Sequence, residues 1–257
     1  MNRLWMAEWR RLFIEMARYP METVSAMVTL FLIFAGLFIG ASYISSSPLG
    51  GGKLATVVLG YGVWMIMMAA TSDMGYSIQN EAQNGTLEQV MLVPWSALSI
   101  FVARAAASIV NFLVPAAVVV WGLIALTGVH LVWSGAAAVP AVMTLFTAWG
   151  LGLVVAAAAL VLKRIGQMLQ IVNFLLLFVI LAPVTEIAGL GGHILSAVVP
   201  FTAQVALLHT ILGRGVTGGA TLWQEAVVNM LVWAVGGGLV FTAADRIVRR
   251  RGTLSHY

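Results

Sequence analysis

Long apolar runs alternate with short polar interruptions along almost the whole chain. A helix that crosses the hydrocarbon core of a bilayer needs about 20 mostly apolar residues. Six stretches meet that need and are read as transmembrane helices: residues 22–44, 54–77, 97–127, 136–162, 165–184 and 225–244. The first carries no charge from Thr23 to Gly52, and Gly36 and Gly40 form a small-xxx-small step that either lets a second helix approach closely or is incidental, since glycine is common in membrane helices. The run Ser45–Gly52 is read as a loop. In the second, Asp73 is expected near the headgroups, because a carboxylate at mid-bilayer costs about 2.5–3.5 kcal/mol. The third is longer than a crossing requires, so Arg104 near its start is expected to snorkel toward the interface. Pro115 predicts a kink there, Asn111 a bond between helices, and His130 and Trp133 mark the far interface. The fourth ends abruptly at Lys163 and Arg164.

Three other segments complete the layout. In residues 1–19, Trp5, Trp9, Leu12, Phe13 and Met16 share one helical face, while Arg3, Arg10, Arg11 and Arg18 lie mostly elsewhere and Arg11 and Glu15 form an i,i+4 pair. This predicts an amphipathic helix lying in the membrane interface, in contact with lipid, with a break at Pro20; the alternative is the start of a longer first span. Residues 185–221 are apolar but interrupted by Pro200 and several glycines. Ile194–Val199 and Phe201–Leu212 are each too short to cross, which fits a re-entrant segment better than two further spans. Residues 245–257 form a basic tail. The predicted fold is an all-α polytopic membrane protein, one domain over residues 1–257.

Composition agrees. The chain is 61% apolar and only 9% charged, against about 25% charged in ordinary soluble domains. Its mean hydropathy is +1.00. The net charge of +4 does not point to nucleic acid, because the basic residues sit in short clusters beside the apolar runs. With no cysteine, disulfides, thiol catalysis and thiolate ligation of iron–sulfur clusters are excluded. The first apolar run exceeds a signal-peptide core and follows Glu8, Glu15 and Glu22, so it is read as a retained span. With both termini inside, Arg3, Arg10, Arg11, Arg18, Arg104, Lys163, Arg164, Arg246, Arg249, Arg250 and Arg251 gather on the inner side. Lys53 and Arg214 stay outside. That asymmetry predicts cytoplasmic termini and a multi-pass protein of the inner (plasma) membrane.

One polar connector, residues 79–95, then faces the cytoplasm. It holds Glu81, Glu88, Asn80, Gln83, Asn84, Gln89 and a Gly85 at which a helix can turn. Leu87, Val90 and Met91 follow at helical spacing, and Pro94 stops the run. A tight turn would join two spans equally well, so this connector is read as a docking surface for a soluble partner. A phosphate-binding loop is excluded at Gly50–Lys53: the pattern needs glycine six residues before the lysine and Ser or Thr after it, where this chain has Ser47 and Leu54.

Glu81, Gly85-Thr86-Leu87-Glu88-Gln89 and Pro94 resemble the cytoplasmic signature of type-2 ABC exporter permeases, approximately E-x-x-x-G-T-L-E-x-(x)4-P. Arg104 matches the basic residue about ten after the proline. Pro200-Phe201-Thr202 is similar to the family's proline-hydrophobic-threonine step, with His209 where an arginine is usual. The resemblance implies two such subunits, alike or different, around a translocation path. Each would dock an ABC ATPase subunit through this coupling loop. ATP and Mg would be held by the ATPase, and the chain itself would bind no cofactor and catalyse nothing. In that role Glu81 and Glu88 would meet basic groups on the ATPase and Leu87 would fill an apolar notch; the plainer alternative is a turn and helix cap with solvated glutamates.

The spans hold Trp64, Met65, Met67, Met68, Trp121 and Trp149 but few polar groups at depth, which favours a hydrophobic drug, natural product or lipid-like cargo over a glycan. Two other classes compete. An ion-coupled transporter would need an intramembrane relay, for which Asp73, Arg104, Glu186 and Glu225 are the nearest candidates. An intramembrane enzyme finds no motif: His130, His193, His209 and His256 show no metal-ligand spacing.

Overall fold

The computed structural model describes residues 10, 14, 18–44, 51–84, 97–162, 165–181 and 190–251. Among these all regular structure is helical: α1 (Pro20–Ile44), α2 (Gly51–Gln83), α3 (Ala97–Thr127), α4 (Ala138–Leu162), α5 (Gly166–Leu181), α6 (Leu190–Val198), α7 (Thr202–Leu208) and α8 (Ala220–Arg251). A 3-10 turn (Gly135–Ala137) precedes α4, and a π-helical segment (His209–Gly213) continues α7. Helices occupy all six stretches expected to cross a membrane. By length and apolar character four qualify, within α2, α3, α4 and α8, and a fifth if the bent pair α6–α7 is one broken span. In α1 and α5 the described apolar stretches, Thr23–Ile39 and Gly166–Phe178, are shorter.

Several boundaries differ from expectation. The 33 residues of α2 make it about 50 Å long, well beyond a hydrocarbon core of about 30 Å. It starts inside the expected loop, at Gly51, and runs through Asn80 and Glu81, which were assigned to the connector. Gln, Glu and Ala propagate a helix well, so it does not stop where apolar residues do. For the same reason α8 continues through Asp245, Arg246, Arg249 and Arg250, and the tail from residue 245 is helical as far as Arg251. Pro20 is the first residue of α1, where its missing N–H costs nothing. Pro115 lies inside α3 without ending it.

α2 is the central helix, and Tyr61, Trp64, Met65, Met67, Met74 and Ile78 along it are fully buried. α1 lies at the periphery. Its Leu30 and Phe34 are buried, the Tyr61 hydroxyl donates to the Leu30 carbonyl (2.5 Å), and the Phe34 and Tyr61 rings meet edge to face. Among the described residues no helix approaches closely at Gly36, because nothing lies within 4 Å of the position a Cβ would take there. The bundle uses other glycines. A Cβ on Gly152 of α4 would meet the Ala70 carbonyl oxygen of α2 at 3.0 Å, and one on Gly150 would meet the Trp233 carbonyl oxygen of α8 at 2.1 Å. Lipid is as apolar as the helices, so backbone-close packing of this kind, rather than exclusion from water, is what holds membrane helices together.

The bundle has two distinct ends. At one, Val132 N donates to the Leu212 carbonyl (2.7 Å), which seats the α3–α4 loop against the π-helical segment, and Gly213 adjoins Ala55 near the start of α2. At the other, Gln79 Oε1 of α2 accepts from Ile165 N at the start of α5 (3.1 Å), and the rings of Phe101 (α3) and Phe241 (α8) pack 5.5 Å apart. Arg104, Arg246, Arg249 and Arg250 fall toward the second end and Arg214 at the first.

Candidate functional site

The connector is anchored where it leaves the bundle. Ser77 and Glu81 lie four residues apart on one face of α2, and Arg104 lies two turns into α3. The guanidinium donates to Ser77 Oγ (2.6 Å) and to Glu81 Oε1 (3.3 Å), and stands over the Phe101 ring, 5.6 Å from its centroid. Only 12% of the Arg104 side chain and 18% of Glu81 are exposed. Arg104 is thus buried at the connector end of the bundle, where a carboxylate and a hydroxyl on the neighbouring helix pair with its guanidinium. Glu81, expected to meet a basic group on a partner, is already engaged by Arg104. The arrangement is an electrostatic clamp that ties the end of α2 to the beginning of α3 across residues 85–96. Asn84 N closes α2 on the Asn80 carbonyl (2.9 Å), leaving Asn80, Gln83 and Asn84 exposed. The remaining expected coupling residues, Gly85, Thr86, Leu87, Glu88, Gln89 and Pro94, lie outside the described residues. So do Trp5, Trp9, Arg11 and Phe13 of the expected interfacial helix, whereas Arg10 is exposed. Half-buried Asp73 lies eight residues, about 12 Å, before Glu81 on α2.

At the opposite end, the break between α6 and α7 is bent by 93°. Pro200 precludes a continuous hydrogen-bond ladder, and Phe201 takes a left-handed conformation (φ 70°). A broken helix leaves carbonyls without helical donors, and in an apolar setting other groups must satisfy them. Fully buried Asn229 of α8 does so: its Nδ2 lies 3.0, 3.1 and 2.7 Å from the carbonyl oxygens of Ser196, Ala197 and Val199. Its Oδ1 accepts from Phe201 N (3.4 Å) and from Gln204 Nε2 (3.2 Å), which also reaches Thr147 Oγ1 of α4 (3.1 Å). The Thr202 hydroxyl lies 2.9 Å from the Ser196 and Val199 carbonyls, and Trp233 Nε1 donates to the Val198 carbonyl (2.9 Å). Glu225, 13% exposed, holds His193 Nδ1 at 2.5 Å and accepts from the Ser196 hydroxyl. Glu225 thus serves the latch between α6 and α8. No cluster of three or more His, Cys, Asp or Glu able to hold a metal occurs among the described residues.

A third polar group joins α2 to α5. Asn173 Nδ2 donates to Ser72 Oγ (3.1 Å), its Oδ1 lies 3.0 Å from the Thr71 hydroxyl, and its backbone carbonyl accepts from Trp64 Nε1 (2.8 Å). Asn173, Gln204 and Asn229 escaped the sequence reading, although an amide inside an apolar span is itself a signal of a bond between helices. No known family model matches the chain, and no curated protein matches it in sequence.

Proposed function

We propose that this chain is the membrane-spanning permease subunit of an ATP-driven ABC exporter. It works as a pair of permease subunits, each docked to a separate ATPase that binds ATP and Mg. The reading rests on the E-x-x-x-G-T-L-E motif of residues 81–88, and the observation that carries it is the Arg104–Glu81–Ser77 clamp beneath that motif. A connector pinned at its base transmits a push into α2 and α3 instead of absorbing it. α2 packs on α4, α4 packs backbone-close on α8, and α8 holds the bent pair α6–α7 through Asn229. A displacement imposed at the cytoplasmic connector thereby reaches a re-entrant segment at the far end, in a bundle of six crossings with both termini in the cytoplasm. The scarcity of charged groups in the spans suits an apolar or amphipathic cargo.

Co-purification tests the reading. The tagged chain is extracted gently from its native membrane, and the preparation is assayed for an ATP-hydrolysing subunit. The expected result is an ATPase retained by the wild type and lost from Glu88→Lys, with equal membrane insertion of both. An intact, monodisperse chain with no ATPase in either sample would overturn it.

A further inference from the structure

Between α3 and α4 lies a cavity of about 360 Å³. Val102, Ala106 and Ile109 line it from α3 and Leu145, Phe146 and Trp149 from α4. On each helix these positions fall three, four or seven residues apart, so each set forms one stripe and the stripes face each other. It is a groove open to the outside rather than a void enclosed in the packed interior. Its cause is local: Ala106, at the centre of the α3 stripe, projects only a methyl group toward α4. The cavity opens sideways, past the half-exposed side chains of Val142 and Phe146.

We infer that this groove seats an acyl chain of a phospholipid from the surrounding bilayer. Both walls belong to helices long and apolar enough to cross a membrane, so hydrocarbon is the medium at its mouth. The stripes begin more than a turn inside the N-terminal ends of both helices. Among the described residues, the lining side chains are hydrocarbon and aromatic, with no charged group for a headgroup or ion. Such a cavity stays dry, and left empty its walls forfeit their dispersion contacts. A flexible alkyl chain is the occupant that restores those contacts along the hydrocarbon walls. The site requires no ATPase and stands apart from the coupling role.

The test uses the full chain in vesicles of phosphatidylcholine doped with a phospholipid that carries a photoreactive diazirine on one acyl chain. After irradiation, labelled residues are mapped by mass spectrometry. The expected result is labelling of Val102–Ile109 and Val142–Trp149 several-fold above the open faces around Leu32 and Leu231. Ala106→Phe fills the groove and brings its labelling down to the level of those faces. Val235→Phe, on the exposed side of α8, leaves the pattern unchanged. If Ala106→Phe does not insert, Ala106→Leu and the enlarging Phe146→Ala give the same comparison, with labelling reduced in the first and retained in the second. Groove labelling no higher than that of the open faces overturns the inference. So does labelling unaffected by a filled groove. Because the chain has no cysteine, Ala106→Cys introduces a single thiol. Its efficient disulfide or bismaleimide cross-linking to a second copy would show that another protomer covers the groove instead of lipid.

Discussion

Gly150 and Gly237 meet backbone to backbone: a Cβ on Gly237 would lie 2.1 Å from the Gly150 carbonyl oxygen. Backbone cannot rotate away as a side chain can. Gly237→Ala must therefore push α8 off α4, at a cost near the upper end of the roughly 1–3 kcal/mol typical of overpacking. Thermal unfolding in detergent should fall by about 2–4 °C for each kcal/mol lost. Gly236→Ala, with nothing within 4 Å of the new methyl, should leave stability unchanged or raise it through better helix propensity.

The clamp at the base of the connector predicts a charge-swap result. Glu81→Arg and Arg104→Glu should each destabilise the chain, and the double variant should recover part of the loss. The coupling energy should fall at about 0.5–3 kcal/mol, as for other residues in direct contact. Because both side chains are largely buried, added salt should weaken the pair little. The more exposed i,i+4 pair Asp245–Arg249 should contribute no more than about 0.3–0.5 kcal/mol and be screened readily.

Asn229→Leu would remove the donors that serve the carbonyls of Ser196, Ala197 and Val199. Each buried group left unsatisfied costs about 1–3 kcal/mol. Amide hydrogen exchange should accelerate across residues 196–204 while α2 and α4 stay protected. Asn229→Asp keeps the acceptor for Phe201 and Gln204 but loses the donors, and should loosen the same segment.

Asp73 separates ATP-driven from ion-coupled transport. With ATP as the energy source, Asp73→Asn should keep most ATP-dependent transport in vesicles. Loss of transport together with its pH dependence would favour an ion relay instead.

The fold was legible wherever the signal is local. Apolar runs place the helices because each residue's transfer into lipid is largely its own property. Pro200 marks the break between α6 and α7 because proline removes a ladder donor whatever surrounds it. The candidate site was legible in part: the connector motif and Arg104 can be read from the chain, but their pairing cannot. Glu81 lies 23 residues from Arg104, and nothing near either one indicates the contact.

By itself, then, the sequence determined the class of the protein, the positions of its helices, the segregation of its positive charge and the motif from which a coupling role is proposed. Tertiary structure decided which of many similar residues acquire a task. Gly36 and Gly237 are equally small, but only Gly237 faces a helix at backbone distance. Arg104 turns onto α2 because Ser77 and Glu81 are within reach there. Asn229 becomes the latch because the break in another helix leaves carbonyls beside it. The physical reason is common to all three: burial, partner and direction are properties of a pair of elements, and no window of one chain segment contains both.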